Sequence, residues 1–302
     1  MASKESKAVK ELWSRWTEEA RANPDATLEE VRARISHWGD ITTEPGGVDY
    51  LEIAVAGLPA LWAVPKGSAE DRVILCLHGG GFITGSIYTH RKLFAHLAKA
   101  VGARALLAEY RLTPEHSHPA PLEDTTTAYR WLLDQGIEAG HMAIAGDSSG
   151  GGLTLTTTLR ARELGLPTPA ALLLLSPCVD MAVSSDTFES NRETEAFFYQ
   201  EVVQELARLF LAGTDPKDPW VSPLYADLGG LAPTSIQVGG DETLLGESLR
   251  LDEKMREAGV DVQLEVFPDQ QHTFQMAAGY APESDDAIRK LAAWVRPKLG
   301  LA

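Results

Sequence analysis

The stretch Met142-Ala-Ile-Ala-Gly146-Asp147-Ser148-Ser149-Gly150-Gly151-Gly152-Leu153 decides how this chain is read. A short apolar run ends in a serine set between two glycines, and a helix-like segment follows. The spacing Gly146-x-Ser148-x-Gly150 belongs to a sharp strand-to-helix turn, whose flanking residues must be small while the central side chain projects outward. The turn places Ser148 at a helix N-terminus, where free N–H groups and the helix dipole favour developing negative charge. Such spacing also arises by chance in Gly-rich turns, so context carries the weight. Periodicity predicts a strand over 141–145 and a helix over 153–164.

Outward from that turn, apolar runs and helical patterns alternate. Strands are expected at 48–56 and 58–64, as a hairpin through Gly57, and at 72–77, 104–109, 170–175, 234–238 and 260–267. Helices are expected at 91–101, 123–133, 201–212, 244–258 and 285–299. Alternation of this kind implies right-handed crossovers and a mostly parallel sheet with helices on both faces, an α/β fold. Before it lies a helix with Val9, Leu12, Trp13, Trp16 and Ala20 on one face. Thr27 through Glu30 then reads as a capping box for a second helix. The expected division is 1–46 as N-terminal helices of a cap and 47–302 as the main body, with a cap insertion around 180–223.

The 302 residues suffice for one large core, and 44% hydrophobic with 23% charged residues is ordinary for a globular protein. A formal net charge of −16 leaves no basic face to neutralise phosphates, which argues against nucleic acid. Cys76 and Cys178 read as small buried hydrophobes rather than a disulfide pair. The N-terminus has no secretory apolar stretch and no run approaches membrane-spanning length, so the expected location is cytoplasmic.

A serine nucleophile needs a base, and the base needs an orienting acid. With the chain order Ser, acid, His, the base must follow Ser148. Seven of the eight histidines precede it; His272 alone follows, in a loop after the last expected strand. Asp241 directly follows the 234–238 strand and is the expected acid. Glu242, one residue on, is expected to point elsewhere, Asp269 is a weaker competitor, and a helix cap is the bland reading of Asp241. The oxyanion needs donors, and His78-Gly79-Gly80-Gly81-Phe82 follows a strand with side-chain-free amides that can converge, joined by the Ser149 N–H. No G-K-[ST] follows that run, which disfavours a phosphate loop, and no H-E-x-x-H spacing suggests a metal. No cofactor is expected.

Together these residues resemble the hormone-sensitive-lipase-like esterase family of the α/β-hydrolase fold, from about Val48 to the end. The matching motifs are His78–Gly81, Gly146–Gly151 and Tyr110-Arg111-Leu112-Thr113-Pro114-Glu115-His116 with Pro119-Ala120. Ser149 and Thr113 stand where alanine is commoner, and the segment around Asp241 departs from the commoner D-P-L version. The resemblance implies Ser148, Asp241 and His272 as a triad, Gly79, Gly80 and Ser149 as an oxyanion hole, and a cap over the pocket. It implies a cofactor-independent carboxylesterase acting on short or medium acyl esters, with lactones in reach. A ligand receptor on the same fold and an amidase or peptidase are the alternatives. It also implies a homodimer through the edge strand 260–267. Trp38, Phe82, Tyr88, Phe197, Phe198 and Phe210 are candidates for lining an apolar pocket, and Arg111 with Glu115 for an internal pair that fixes the glycine loop.

Overall fold

The computed structural model describes residues 2–302. Its centre is an eight-stranded sheet in the order β1-β2-β4-β3-β5-β6-β7-β8. The strands are β1 Val48–Val55, β2 Leu58–Pro65, β3 Val73–Leu77, β4 Arg104–Ala108, β5 Met142–Asp147, β6 Ala171–Leu175, β7 Thr234–Gly239 and β8 Val262–Phe267. The hairpin β1–β2 and its neighbour β4 pair antiparallel, and all other pairings are parallel. Every expected strand is present, within two residues of its expected ends.

Continuous apolar runs form these inner strands because each is covered on both faces. Val73, Leu75 and Leu77 of β3 enter one core; Ile74 and Cys76 enter the other. Helices α3 (Ile87–Val101) and α9 (Pro282–Val295) cover the second core, which contains Leu93, Phe94, Leu97, Ile288 and Leu291. On the opposite face lie α4 (Ala120–Asp134), α5 (Ser149–Glu163) and α8 (Leu245–Glu257), burying Leu132, Leu155, Leu159, Leu251 and Met255. The two cysteines are free and buried, as expected.

Before the sheet come α1 (Lys4–Ala22) and α2 (Leu28–Ile35), the latter opened by the expected Thr27/Glu30 capping box. Between β6 and β7 the chain leaves the alternation for the short helix α6 (Thr187–Ser190) and for α7 (Gln200–Leu211). Val203, Ala207 and Phe210 of α7 are buried against the body. Strand β8 is the sheet's outer edge, where the sequence placed it. Among the described residues no helix is long and apolar enough to cross a membrane.

The chain order fixes where chemistry can occur. After β3 the sheet grows through β4 toward one edge, and β5 then returns to the other side of β3. Loops leaving the carboxyl ends of β3 and β5 therefore diverge, opening the crevice in which ligands bind in such sheets. The glycine run and the serine turn occupy those two loops.

Candidate active site

Ser148 sits between β5 and α5 at φ 50°, ψ −121°, a left-side conformation that a serine adopts only under constraint. Its N–H donates to the Leu175 carbonyl at 2.9 Å, and its carbonyl accepts from Gly151, Gly152 and Cys178. The flanking glycines are obligatory for space. A Cβ on Gly146 would run into the Gly150 carbonyl, and one on Gly150 into the Leu77 carbonyl. The periodicity predicts the helix from Leu153 onward. In the structure α5 starts at Ser149, and Gly150, Gly151 and Gly152 press directly on Leu77, Pro177 and Cys178. Closeness of approach, rather than propensity, sets that boundary.

His272 lies in the loop after β8 and is fully buried. Its Nδ1 is 2.6 Å from Glu242 Oε2, and its Nε2 is buried with no partner among the described residues. This overturns the expected acid. Asp241 instead accepts from Lys10 Nζ at 3.1 Å and Gln271 Nε2 at 3.2 Å, facing α1. The cause is the turn after β7. The Asp241 N–H donates to the Gln270 carbonyl, which aims its side chain outward. The longer Glu242 side chain folds back over the strand end, where Oε1 accepts from the Gly239 N–H at 2.5 Å and the Ser176 hydroxyl at 2.7 Å. Burial opposes charging of His272, but the adjoining Glu242 carboxylate outweighs it, aided by Glu195 and Asp147. The imidazole is consequently held above its ordinary value.

The glycine loop carries a second correction. The Gly79 N–H donates to Asp147 Oδ1 at 2.9 Å and is therefore committed to the fold. The N–H groups of Gly80, Gly81 and Ser149 donate to no group among the described residues, and Gly81 and Ser149 line the pocket beside Ser148. Gly80 (φ 120°) and Gly81 (φ 62°) both need glycine's backbone freedom. Asp147 also receives His90 Nε2 at 3.2 Å. Burial alone would raise this carboxyl, yet the His90 imidazole and the Gly79 amide hold it below the ordinary value. His78 Nδ1 donates to the Gly79 carbonyl at 2.8 Å and the ring stacks on Tyr110 at 4.2 Å; burial pushes its imidazole down to about 3, which leaves it neutral.

Arg111 and Glu115 do not pair. Arg111 meets Asp124 at 2.7 Å, and Glu115 meets Arg32 of α2 at 2.6 Å. Arg32 also donates to the Ile83 and Thr113 carbonyls, so an arginine from outside the motif secures the far end of the glycine loop. Charge pairs 83 residues apart leave no local signal in a sequence.

The pocket in front of Ser148 is lined by Gly81, Phe82, Ser149, Cys178, Met181, Phe198, Val203, Leu206, Ala207 and Leu244. Of the candidate aromatics, Phe82 and Phe198 line it, and Phe210 stacks behind Phe82 at 3.7 Å. Trp38 and Phe197 sit one layer out, packed on each other and on His90 and Trp13. Tyr88 is 57% exposed and donates to Glu52, away from the pocket. The aliphatic wall from α7 was missed, because Val203 and Leu206 look like ordinary core spacing. Among the described residues no three His, Cys, Asp or Glu side chains are grouped to hold a metal ion.

A serine on a strained strand-to-helix turn, and a histidine bonded to a carboxylate in the loops after the later strands, are the arrangement expected of the α/β-hydrolase fold. A family model described as alpha/beta hydrolase fold matches residues 74–276. The chain is 35% identical to an acetyl-hydrolase of Streptomyces hygroscopicus over 263 residues, covering 87% of this chain and 86% of that one. It is 36% identical to an esterase of Acinetobacter venetianus, covering 74% and 75%. A crystal structure of an esterase from the bacterial hormone-sensitive lipase family superposes with TM-score 0.94 at 39% identity, covering 99% of this chain and 100% of the other. The chain belongs to the bacterial hormone-sensitive-lipase-like esterase family of the α/β-hydrolase fold. Its class is that of the carboxylic ester hydrolases.

Proposed function

We propose that the protein cleaves esters of short acyl chains, including lactones of similar size, through an acyl-enzyme on Ser148. His272 Nε2 takes the Ser148 hydroxyl proton as Oγ attacks the ester carbonyl. The N–H groups of Gly80, Gly81 and Ser149 receive the oxyanion. As the tetrahedral intermediate collapses, His272 returns the proton to the leaving alcohol. Water then gives its proton to His272 and attacks the acyl-enzyme, and the acid leaves as Ser148 is reprotonated. Glu242 orients the imidazole and offsets its positive charge throughout. The observation that carries this reading is the Glu242–His272 contact of 2.6 Å, with the opposite imidazole nitrogen buried and unpartnered.

The acyl preference follows from the pocket wall. Leu206 stands directly over Gly81, and Val203 and Ala207 of α7 close the space in front of Ser148. That enclosure favours short acyl groups. On this account α1, α2 and the 180–223 segment act as a cap, and the open edge of β8 is where a second copy would pair. Hydrolysis of p-nitrophenyl esters from acetyl to palmitoyl tests the reading, with wild type beside Ser148→Ala. Turnover concentrated on short chains and lost in the mutant supports it. Turnover that survives in the mutant rules out Ser148 as nucleophile.

A further inference from the structure

Three residues from the 191–199 segment approach the acid–base pair, and one carries charge. Glu195 is buried at 3% exposure, although it belongs to a surface insertion. Its Oε1 accepts the Phe197 N–H at 2.8 Å and its Oε2 accepts the Thr243 N–H at 3.0 Å. Thr243 is the residue after Glu242, and its hydroxyl donates to the Phe198 carbonyl at 2.7 Å. Phe198 in turn packs edge-on against the His272 ring at 4.6 Å and lines the pocket beside Ser148. One side chain therefore ties the turn that holds the acid to the aromatic that flanks the base.

We infer that Glu195 is a positioning carboxylate of this site, which locks Thr243 and Phe198 around His272 and adds a further negative charge facing the imidazole. This rests on His272 being the base of the proposed reaction. Both oxygens of Glu195 accept from backbone amides, a pattern that suits a carboxylate; a primary amide would set its NH₂ donor against an N–H. Burial, with the Glu242 charge adding to it, holds the Glu195 carboxyl above its ordinary value, and the charge of His272 and the two amides offset this only in part. The groups facing His272 are Glu242 from the β7–α8 turn, Asp147 from the end of β5, and Glu195. Asp241, next along, is paired to Lys10.

A neighbouring anion stabilises the protonated imidazole, so removing it lowers the His272 pKa. The acid limb of kcat/KM, which reports the free base, then moves to lower pH. The experiment is the pH profile of p-nitrophenyl acetate hydrolysis by wild type, Glu195→Gln and Glu195→Asp. In Glu195→Gln the limb shifts down by about half a pH unit or more, and plateau kcat falls by about tenfold. Glu195→Asp, which keeps the charge but shortens the bridge, loses kcat with its limb near that of wild type. A limb unmoved in Glu195→Gln overturns the inference and reduces Glu195 to a packing residue. Should Glu195→Gln fail to fold, Glu195→Ala supplies a second uncharged variant, whose vacated space admits water to both amides. A wild-type profile without an acid limb would instead count against His272 as the base, separating failure of the proposed reaction from failure of this inference.

Discussion

The Gly79 N–H donates to Asp147 Oδ1 at 2.9 Å, which ties the loop after β3 to the residue preceding Ser148, the proposed nucleophile. The same carboxylate receives His90 Nε2, and His90 packs under Trp38. The proposed oxyanion donors and the serine are thus built on one buried polar network, with Asp147 and His90 fully shielded from water. Asp147→Asn keeps the shape but removes the charge opposite His90. Breaking a buried pair of this kind costs about 3 kcal/mol, and chemical denaturation should read a loss of that order. The sign with pH is fixed as well. A carboxyl held below its unfolded value stabilises the fold above that value, near 4, and the contribution is lost as pH falls through the lower folded one.

As the proposed base, His272 should set the activity profile. Its raised pKa means that the neutral, basic form dominates only above the ordinary histidine value of about 6.5. The wild-type kcat/KM should therefore climb with pH through a limb that lies above 6.5, measured on an uncharged ester. The same shift contributes stability below the unfolded value, which disappears as pH rises through the folded one. A limb at or below 6 would show that Glu242 does not charge-stabilise the imidazole.

Leu206 stands over Gly81 at the mouth of the pocket. Leu206→Ala should open the acyl side and raise hexanoate over acetate by about tenfold in kcat/KM, the scale of one to two methylenes of apolar contact. An unchanged chain-length profile would place the acyl group elsewhere.

Gly150 touches the Leu77 carbonyl so closely that no side chain fits. Gly150→Ala should cost more than about 3 kcal/mol and leave little folded protein, read by thermal unfolding. Gly140, with open space around it, is the matched control, and its alanine variant should unfold close to wild type.

The strands were legible because inner strands need apolar residues on both faces, as β3 and β6 display. The serine and histidine stood out as candidates because one has a spacing and the other a unique place in the chain order. The acid was not. Asp241 and Glu242 are adjacent carboxylates after the same strand, and only the backbone turn held by Gln270 decides which one faces inward. Gly79 was misassigned for a related reason: three consecutive glycines look alike until Asp147 claims the first. Arg32 and Glu195 were invisible because their partners lie far away in the chain.

The measurement that bears most directly on this account compares Glu242→Gln with Asp241→Asn, using kcat on p-nitrophenyl butyrate at pH 8. Glu242→Gln should fall by about 10²–10⁴, as when a triad acid is neutralised, and Asp241→Asn by less than about tenfold. A large loss in Asp241→Asn with Glu242→Gln near wild type would contradict the arrangement described for His272.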